Sequence, residues 1–446
     1  MDSISVITSN ETYKSSQSVT DIFPQKDVNI KVYKRRLWML GLFSFLSMMS
    51  AMLFPQYVSM ANVNMCFYDV SMEAVNWTGM IYMLVYAVFA LPISSLINFL
   101  ELRWTIIFTA FWNVIATSMQ LTTLHPSGFL YVMISCFFGS LSNLFVLAVP
   151  PVLAAKWFPS QELSRACAFG VFGNQLGIAI GFVLSPSIVS SDCSQKDQIS
   201  TGKRNVAYIL TAVNIVVFAL VAFTFQNSPK LPPSVSEALK HKDNDQSHTQ
   251  VVISLMVGSY FAIGTTLNNL ILRFYENTEL EIGWMGLLFI VAGLVGSMLF
   301  GYVLDCTHKF KETAISICVA SLLTCLIFSG GLYLDKLWIQ FLTIGIFGFF
   351  LTSFLPIGFE YGIEVTYPQS EVVCACMLNT STMIFGIILT EMLSHILESE
   401  GPLFATVALI TILFLCSIFS NFITKDYKRS KKNAEIKFPV SYDNTS

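Results

Sequence analysis

Twelve apolar runs, most of them twenty residues or longer, constrain this chain more than any other feature. They lie at 37–62, 77–99, 104–124, 128–154, 167–189, 206–226, 251–273, 282–304, 313–334, 338–362, 372–397 and 402–424. A helix needs about 20 residues to cross the ~30 Å hydrocarbon core of a bilayer. Within that core each backbone N–H and C=O must be paired inside the protein, so the spanning choices are helices or a closed barrel. These runs are continuous rather than alternating, which excludes the barrel. Composition agrees: 12% of the residues are charged, about half of what a soluble domain uses to cover its surface. The first 36 residues are polar, with no apolar core near Met1, and do not read as a cleavable signal peptide.

Orientation follows from Lys and Arg. With the N-terminus inside, twenty of the 25 basic residues fall on inner segments; Lys196, Lys203, Arg204, Arg273 and Lys336 are the five outside. That bias places both termini in the cytosol, with the plasma membrane as the expected location. Cys66 and Cys193 fall in predicted outer loops, where a disulfide could form. The sequon at Asn76 is also outside, but it abuts the second run, which disfavours a glycan.

The polar stretch QNSPKLPPSVSEALKHKDNDQSHTQ, 226–250, divides the runs six and six. The organisation is therefore a cytosolic tail (1–36), a six-helix bundle (37–226), a cytosolic linker (227–250), a second six-helix bundle (251–424) and a cytosolic tail (425–446). Two six-helix halves joined by an inner linker resemble the major facilitator superfamily, whose substrates sit between the halves while these rock for alternating access. The inner connection after run 8, GYVLDCTHKFKET (301–313), resembles that superfamily's loop motif through Gly301, Asp305, Lys309 and Lys311. Its counterpart LINFLELRW (96–104) is degraded: Asn98 stands where an acid is expected and Glu101 where Gly is usual, while Arg103 is retained.

Run 5 contains VFGNQLGIAIGF (171–182). Gly173, Gly177 and Gly181 make one smooth helix face that lets another backbone approach closely. Two readings fit: static packing, or a sliding surface against run 8, with its own Gly286, Gly293 and Gly296. The adjacent Asn174 and Gln175 are costly in lipid and must face protein or a cavity.

With FQNSPKLPPS (225–234), GFEYGIEVTYPQSE (358–371) and YKRRLWML at the start of run 1, that segment resembles the feline leukaemia virus subgroup C receptor-related family of solute carriers. The resemblance implies an all-α membrane transporter with twelve helices. Members are associated with choline and ethanolamine transport and with haem. It also implies a cation pocket built from a Trp on run 1, a Tyr on run 7, Gln residues on runs 4 and 11, and a Met on run 2. Matching flanking residues puts these positions at Phe54, Phe261, Asn143, Met383 and Met83, with Gln175 as a further polar contributor. A Phe face still attracts a quaternary ammonium, Asn143 keeps an amide, and Met383 loses one. The expected function is facilitated movement of a small organic cation, with haem as the alternative and a non-transporting receptor as an alternative of another class.

Haem would want an axial ligand and basic partners for its propionates, yet His395 alone among the five histidines approaches the membrane, and no Arg or Lys falls at mid-depth. Glu360, Glu364 and Asp305 read as a cytosolic latch; Glu391 falls near the outer face. An enzyme would need a converging nucleophile, base or metal set, which the runs lack. The expected partners are a small substrate and the lipid bilayer, with no cofactor and no nucleic acid, for a chain acting as a monomer.

Overall fold

The computed structural model describes residues 35–158, 163–227, 248–275, 278–307, 309–334, 336–366 and 371–422. Most of both tails and of the linker therefore lies outside the described residues. Among the described residues thirteen α-helices make up the fold: α1 (Arg35–Ala51), α2 (Ala61–Tyr68), α3 (Met72–Met119), α4 (Phe129–Ala148), α5 (Pro150–Trp157), α6 (Leu163–Ile188), α7 (Lys196–Thr224), α8 (His248–Leu272), α9 (Glu279–Thr307), α10 (Phe310–Gly331), α11 (Leu337–Thr366), α12 (Glu371–Ser399) and α13 (Pro402–Phe419). No strand occurs among the described residues. Run 1 is α1 plus α2, runs 2 and 3 are both in α3, run 4 is α4 plus α5, and runs 5 to 12 are α6 to α13. Ten spans are long and apolar enough to cross a membrane among the described residues.

Two elements depart from the expected plan for local reasons. Run 1 is not one helix: α1 stops at Ala51, and residues 52–57 turn before a short 3-10 stretch leads into α2. Pro55 has no N–H to continue the ladder. The side chain of Asn64 reaches back to the carbonyl of Tyr57 (2.7 Å), satisfying an acceptor that the break leaves open. Runs 2 and 3 reverse within a single residue, Glu101, at φ 61° and ψ 160°, backbone that glycine tolerates and other residues adopt at a cost of about 1–3 kcal/mol. Asn227 steadies this turn, its Nδ2 donating to Glu101 Oε2 (2.9 Å) and its Oδ1 accepting from the N–H of Leu102 (3.0 Å).

The packing is a pseudo-twofold repeat. In the first half α1 lies on α6, α3 on α4 and α3 on α7; in the second, α8 lies on α12, α9 and α10 on α11, and α10 on α13. The halves then meet through the equivalent pairs α6·α9 and α12·α3, with α8 against the break in run 1. Basic residues of the two corresponding loops do the same work in each half. Arg103 donates to the carbonyl of Ala222 at the end of α7, and Lys311 to that of Asn421 just past α13, cation against the negative helix end. Large apolar side chains such as Phe99, Phe223 and Tyr302 are exposed, whereas Asn64, Asn76, Asn113, Asn174, Asn214 and Gln120 are buried. A surface of that kind suits lipid.

Candidate functional site

The break in run 1 places Phe54 at the centre of the molecule. There its ring meets Tyr82 of α3 edge-on at 5.6 Å, and Phe261 of α8, from the other half, at 6.1 Å and 89°. Phe261 touches Tyr260 (5.1 Å), which stacks on Phe289 of α9 (5.9 Å). Met83 is fully buried beside Tyr82; its sulfur approaches Gly386 of α12, next to Phe261. Met383, one turn earlier on α12, is buried as well. Five rings and the thioether of Met83, from both halves, thus share one region, and no charged side chain takes part in these contacts.

Polar groups flank the rings. Asn174 donates to Asn143 Oδ1 (3.1 Å), inside the first half, while Tyr260 donates its hydroxyl to Gln175 Oε1 (3.1 Å), across the halves. Asn143 and Phe261 are partly exposed; Phe54 and Gln175 are buried. The predicted substrate positions Phe54, Met83, Asn143, Gln175, Phe261 and Met383 therefore lie on six elements: the run 1 break, α3, α4, α6, α8 and α12. Sequence reasoning missed Tyr82 and Tyr260, each of which sits immediately beside a residue that was singled out. The seat of Tyr82 is Gly139 on α4, where a Cβ would come within 2.5 Å of the phenol oxygen.

The glycine stripe of α6 faces its own half. Cβ atoms at Gly173, Gly177 and Gly181 would collide with the backbone of α1 and of the break at Ser44, Met48 and Met52. The expected partner of that stripe, α9, contacts α6 differently: Gly283 and Gly286 receive Phe182. Gly293 and Gly296 pack on Thr352 and Phe349 of α11, within the second half. The side chains of Asp305, Glu360 and Glu364, read as a latch, lie outside those described, although their backbones belong to α9 and α11.

At one end of the molecule the halves are bolted together. Asn76 donates to Ser394 Oγ (3.0 Å) and accepts from Asn269 (3.0 Å), and Asn268 donates to the carbonyl of Ser59 (2.8 Å). Asn76 is 1% exposed, so the sequon side chain is committed to the interface and inaccessible to a glycan in this conformation. At the same end Cys66 and Cys193 form a disulfide, Cα to Cα 6.0 Å, tying α2 to the connection before α7. His395 is exposed at the far end of α12, away from the ring cluster.

Two pseudo-equivalent six-helix halves that meet at a shared aromatic cluster are the plan of a multi-pass membrane transporter of the alternating-access kind. The model of the Major Facilitator Superfamily matches residues 37–334. The chain is 37% identical over 438 residues to the choline/ethanolamine transporter flvcr2a of Danio rerio, with 93% of each chain covered. It is 33% identical to choline/ethanolamine transporter FLVCR2 of Homo sapiens, covering 91% of this chain and 80% of that one. Among solved structures it resembles a bacterial homologue of the human lysosomal transporter Spinster, inward-facing and occupied, at TM-score 0.68 and 11% identity, over 88% of this chain and 97% of that one. The E. coli fucose:proton symporter FucP matches at TM-score 0.58 and 14% identity, over 87% and 99%. The chain belongs to the major facilitator superfamily and, within it, to the feline leukaemia virus subgroup C receptor-related family; it is a transporter rather than an enzyme.

Proposed function

We propose that this protein is a facilitator of a small organic cation, choline or ethanolamine, by alternating access between its two halves. The observation that carries this reading is the contact of Phe54 with Phe261, one ring from each half. An ammonium group that parts these two rings gains cation–π attraction from each ring face it then meets, about 0.5–2 kcal/mol per ring depending on desolvation. Binding is thereby coupled to the swing. The neutrality of the pocket supports a cation carried down its gradient rather than exchanged against a buried carboxylate. Relatives named as choline/ethanolamine transporters support the same substrate class.

The protein works in the plasma membrane with both termini in the cytosol and the Asn76–Ser394 end outside. The basic asymmetry of the sequence supports this orientation, as does a disulfide at the end that faces an oxidising compartment. The deciding experiment is uptake of radiolabelled choline, ethanolamine and haem into expressing cells. Saturable choline or ethanolamine uptake above mock-transfected cells is expected. Haem movement with no uptake of either amine would overturn the proposal.

A further inference from the structure

A polar cavity lies within the first half, at the end that carries the disulfide. Its free volume is about 20 Å³, and its wall includes Gln56, Tyr57, Asn64, Gln120, Ser185 and Lys203. Lys203 of α7 is the one charged member. Its ammonium donates to Asn64 Oδ1 (2.6 Å) and rests on the rings of Tyr68 (3.9 Å) and Phe67 (4.4 Å). No carboxylate pairs with it among the described residues. Lys203 is partly buried, a positive charge drawn from water into such a cavity is costly without a counter-charge, and two ring faces offset only part of that cost.

The hydrogen-bond inventory shows what the cavity wants. Each side-chain amide oxygen of its wall already accepts one hydrogen bond: Gln56 and Gln120 bond each other reciprocally, Oε1 of each accepting from Nε2 of the other (2.8 and 3.2 Å), and Asn64 Oδ1 accepts from Lys203. Donor capacity remains beside them: the second N–H of each glutamine, the hydroxyl of Ser185 and the other ammonium hydrogens. A net positive cavity that offers donors calls for an anion. The size limits it to a single atom, since a cavity of about 10–15 Å³ just holds a water; phosphate, sulfate and carboxylates are too large.

We propose that this cavity is a chloride site, the ion balancing Lys203 and accepting from Ser185 and the glutamine amides. The site joins α2 through Asn64, α6 through Ser185 and α7 through Lys203 to the break in run 1 at Gln56, two residues beyond Phe54. A bound halide thereby braces the segment that carries the pocket ring, independently of which substrate that pocket takes.

The test uses the purified full-length protein in gluconate buffer, titrated with sodium chloride or bromide at constant ionic strength while thermal unfolding is followed. Both halides should raise the melting temperature in a saturable manner, and bromide should give an anomalous scattering peak beside Lys203. Lys203→Gln should abolish the halide response, and Ser185→Ala should move its midpoint several-fold higher. Gln120→Glu supplies a carboxylate in place of the ion, so it should hold the melting temperature in gluconate and remove the halide dependence, which decides the matter if Lys203→Gln fails to fold. Equal melting in gluconate and chloride, or a halide response that survives both Lys203→Gln and Gln120→Glu, would overturn the proposal and leave a cavity filled by water.

Discussion

Gly177→Ala gives the sharpest reading of how α6 is held. A methyl group there would fall inside the surface of the Met48 carbonyl oxygen and within 2.9 Å of that residue's carbonyl carbon and Cα, where ordinary contact begins at 3.4 Å. The obstacle is backbone on both sides, so no rotamer change can relieve it; α1 and α6 must part by at least half an ångström along their contact. Overpacking of this kind costs about 1–3 kcal/mol, and a rigid backbone neighbour puts the cost toward the upper end. Better helix propensity returns up to about 1 kcal/mol, leaving a net loss of about 2 kcal/mol. Gly41, on α1, is the control, because a Cβ there meets nothing within 4 Å; Gly41→Ala should gain about 1 kcal/mol through propensity alone. At roughly 2–4 °C per kcal/mol for a unit of 150–250 residues, the two variants should melt about 6–12 °C apart in detergent. If they melt together, α6 does not press on α1 as the structure has it, and the stripe is free for another partner.

Four further outcomes are expected. Phe54→Ala should weaken choline affinity by about twofold to thirtyfold, corresponding to 0.5–2 kcal/mol; Phe54→Trp should equal or exceed the native residue, and Phe54→Leu transporting as well as Phe would reduce the ring to a space filler. Asn76→Ala strands Asn269 and Ser394 without partners at a cost of about 1–3 kcal/mol in the closed state, so a cysteine placed near Ser394 should react faster with an impermeant reagent from outside, and unchanged labelling would refute the bolt. Tyr260→Phe removes the cross-half bond to Gln175 and, at about 0.5–1.5 kcal/mol, should shift the balance of outward- and inward-facing forms by about twofold to twelvefold, read by the same labelling; an equal shift from Asn174→Ala would show that the bond's crossing of the halves is irrelevant. Epitope tags at residue 196 should be reached on intact cells and tags within 230–250 only after permeabilisation, the reverse pattern inverting the proposed orientation.

How much of this was legible in advance depends on the range of the interaction. Helix number and the six-and-six division are local properties, set by run length and linker polarity, and the helices follow them. The break in run 1 was not legible, because one proline inside an unbroken apolar run does not distinguish a kink from a full interruption. The structure settles it through Asn64, whose side chain replaces a missing ladder bond from seven residues away. Glu101 is the converse case. Its departure from the superfamily's usual Gly was visible, and the positive φ now gives the physical reason that Gly is usual there. The glycine stripe announced that a backbone approaches but not whose, since that is fixed by which helices pack together. Asn76 reads as a sequon in one dimension and as an interface amide in three.

The adjacent Asn174 and Gln175 show why a polar pair belongs in a lipid-spanning helix. Successive residues on an α-helix point about 100° apart, so neighbours cannot serve one partner. Asn174 turns inward to Asn143 and travels with its own half whichever way the molecule faces. Gln175 turns toward α8 and meets Tyr260, which belongs to the other half and lies edge-on to the ring that would hold the substrate. One amide is thus a fixed strut and the other a contact between bodies that must move against each other. The glycines one residue before the pair, and two and six residues after it, seat the helix on α1 closely enough that both amides keep their aim. Polar side chains persist here, despite their cost in hydrocarbon, because a contact of about 1 kcal/mol between the halves can form and break on each cycle, whereas the close backbone packing of α6 on α1 cannot.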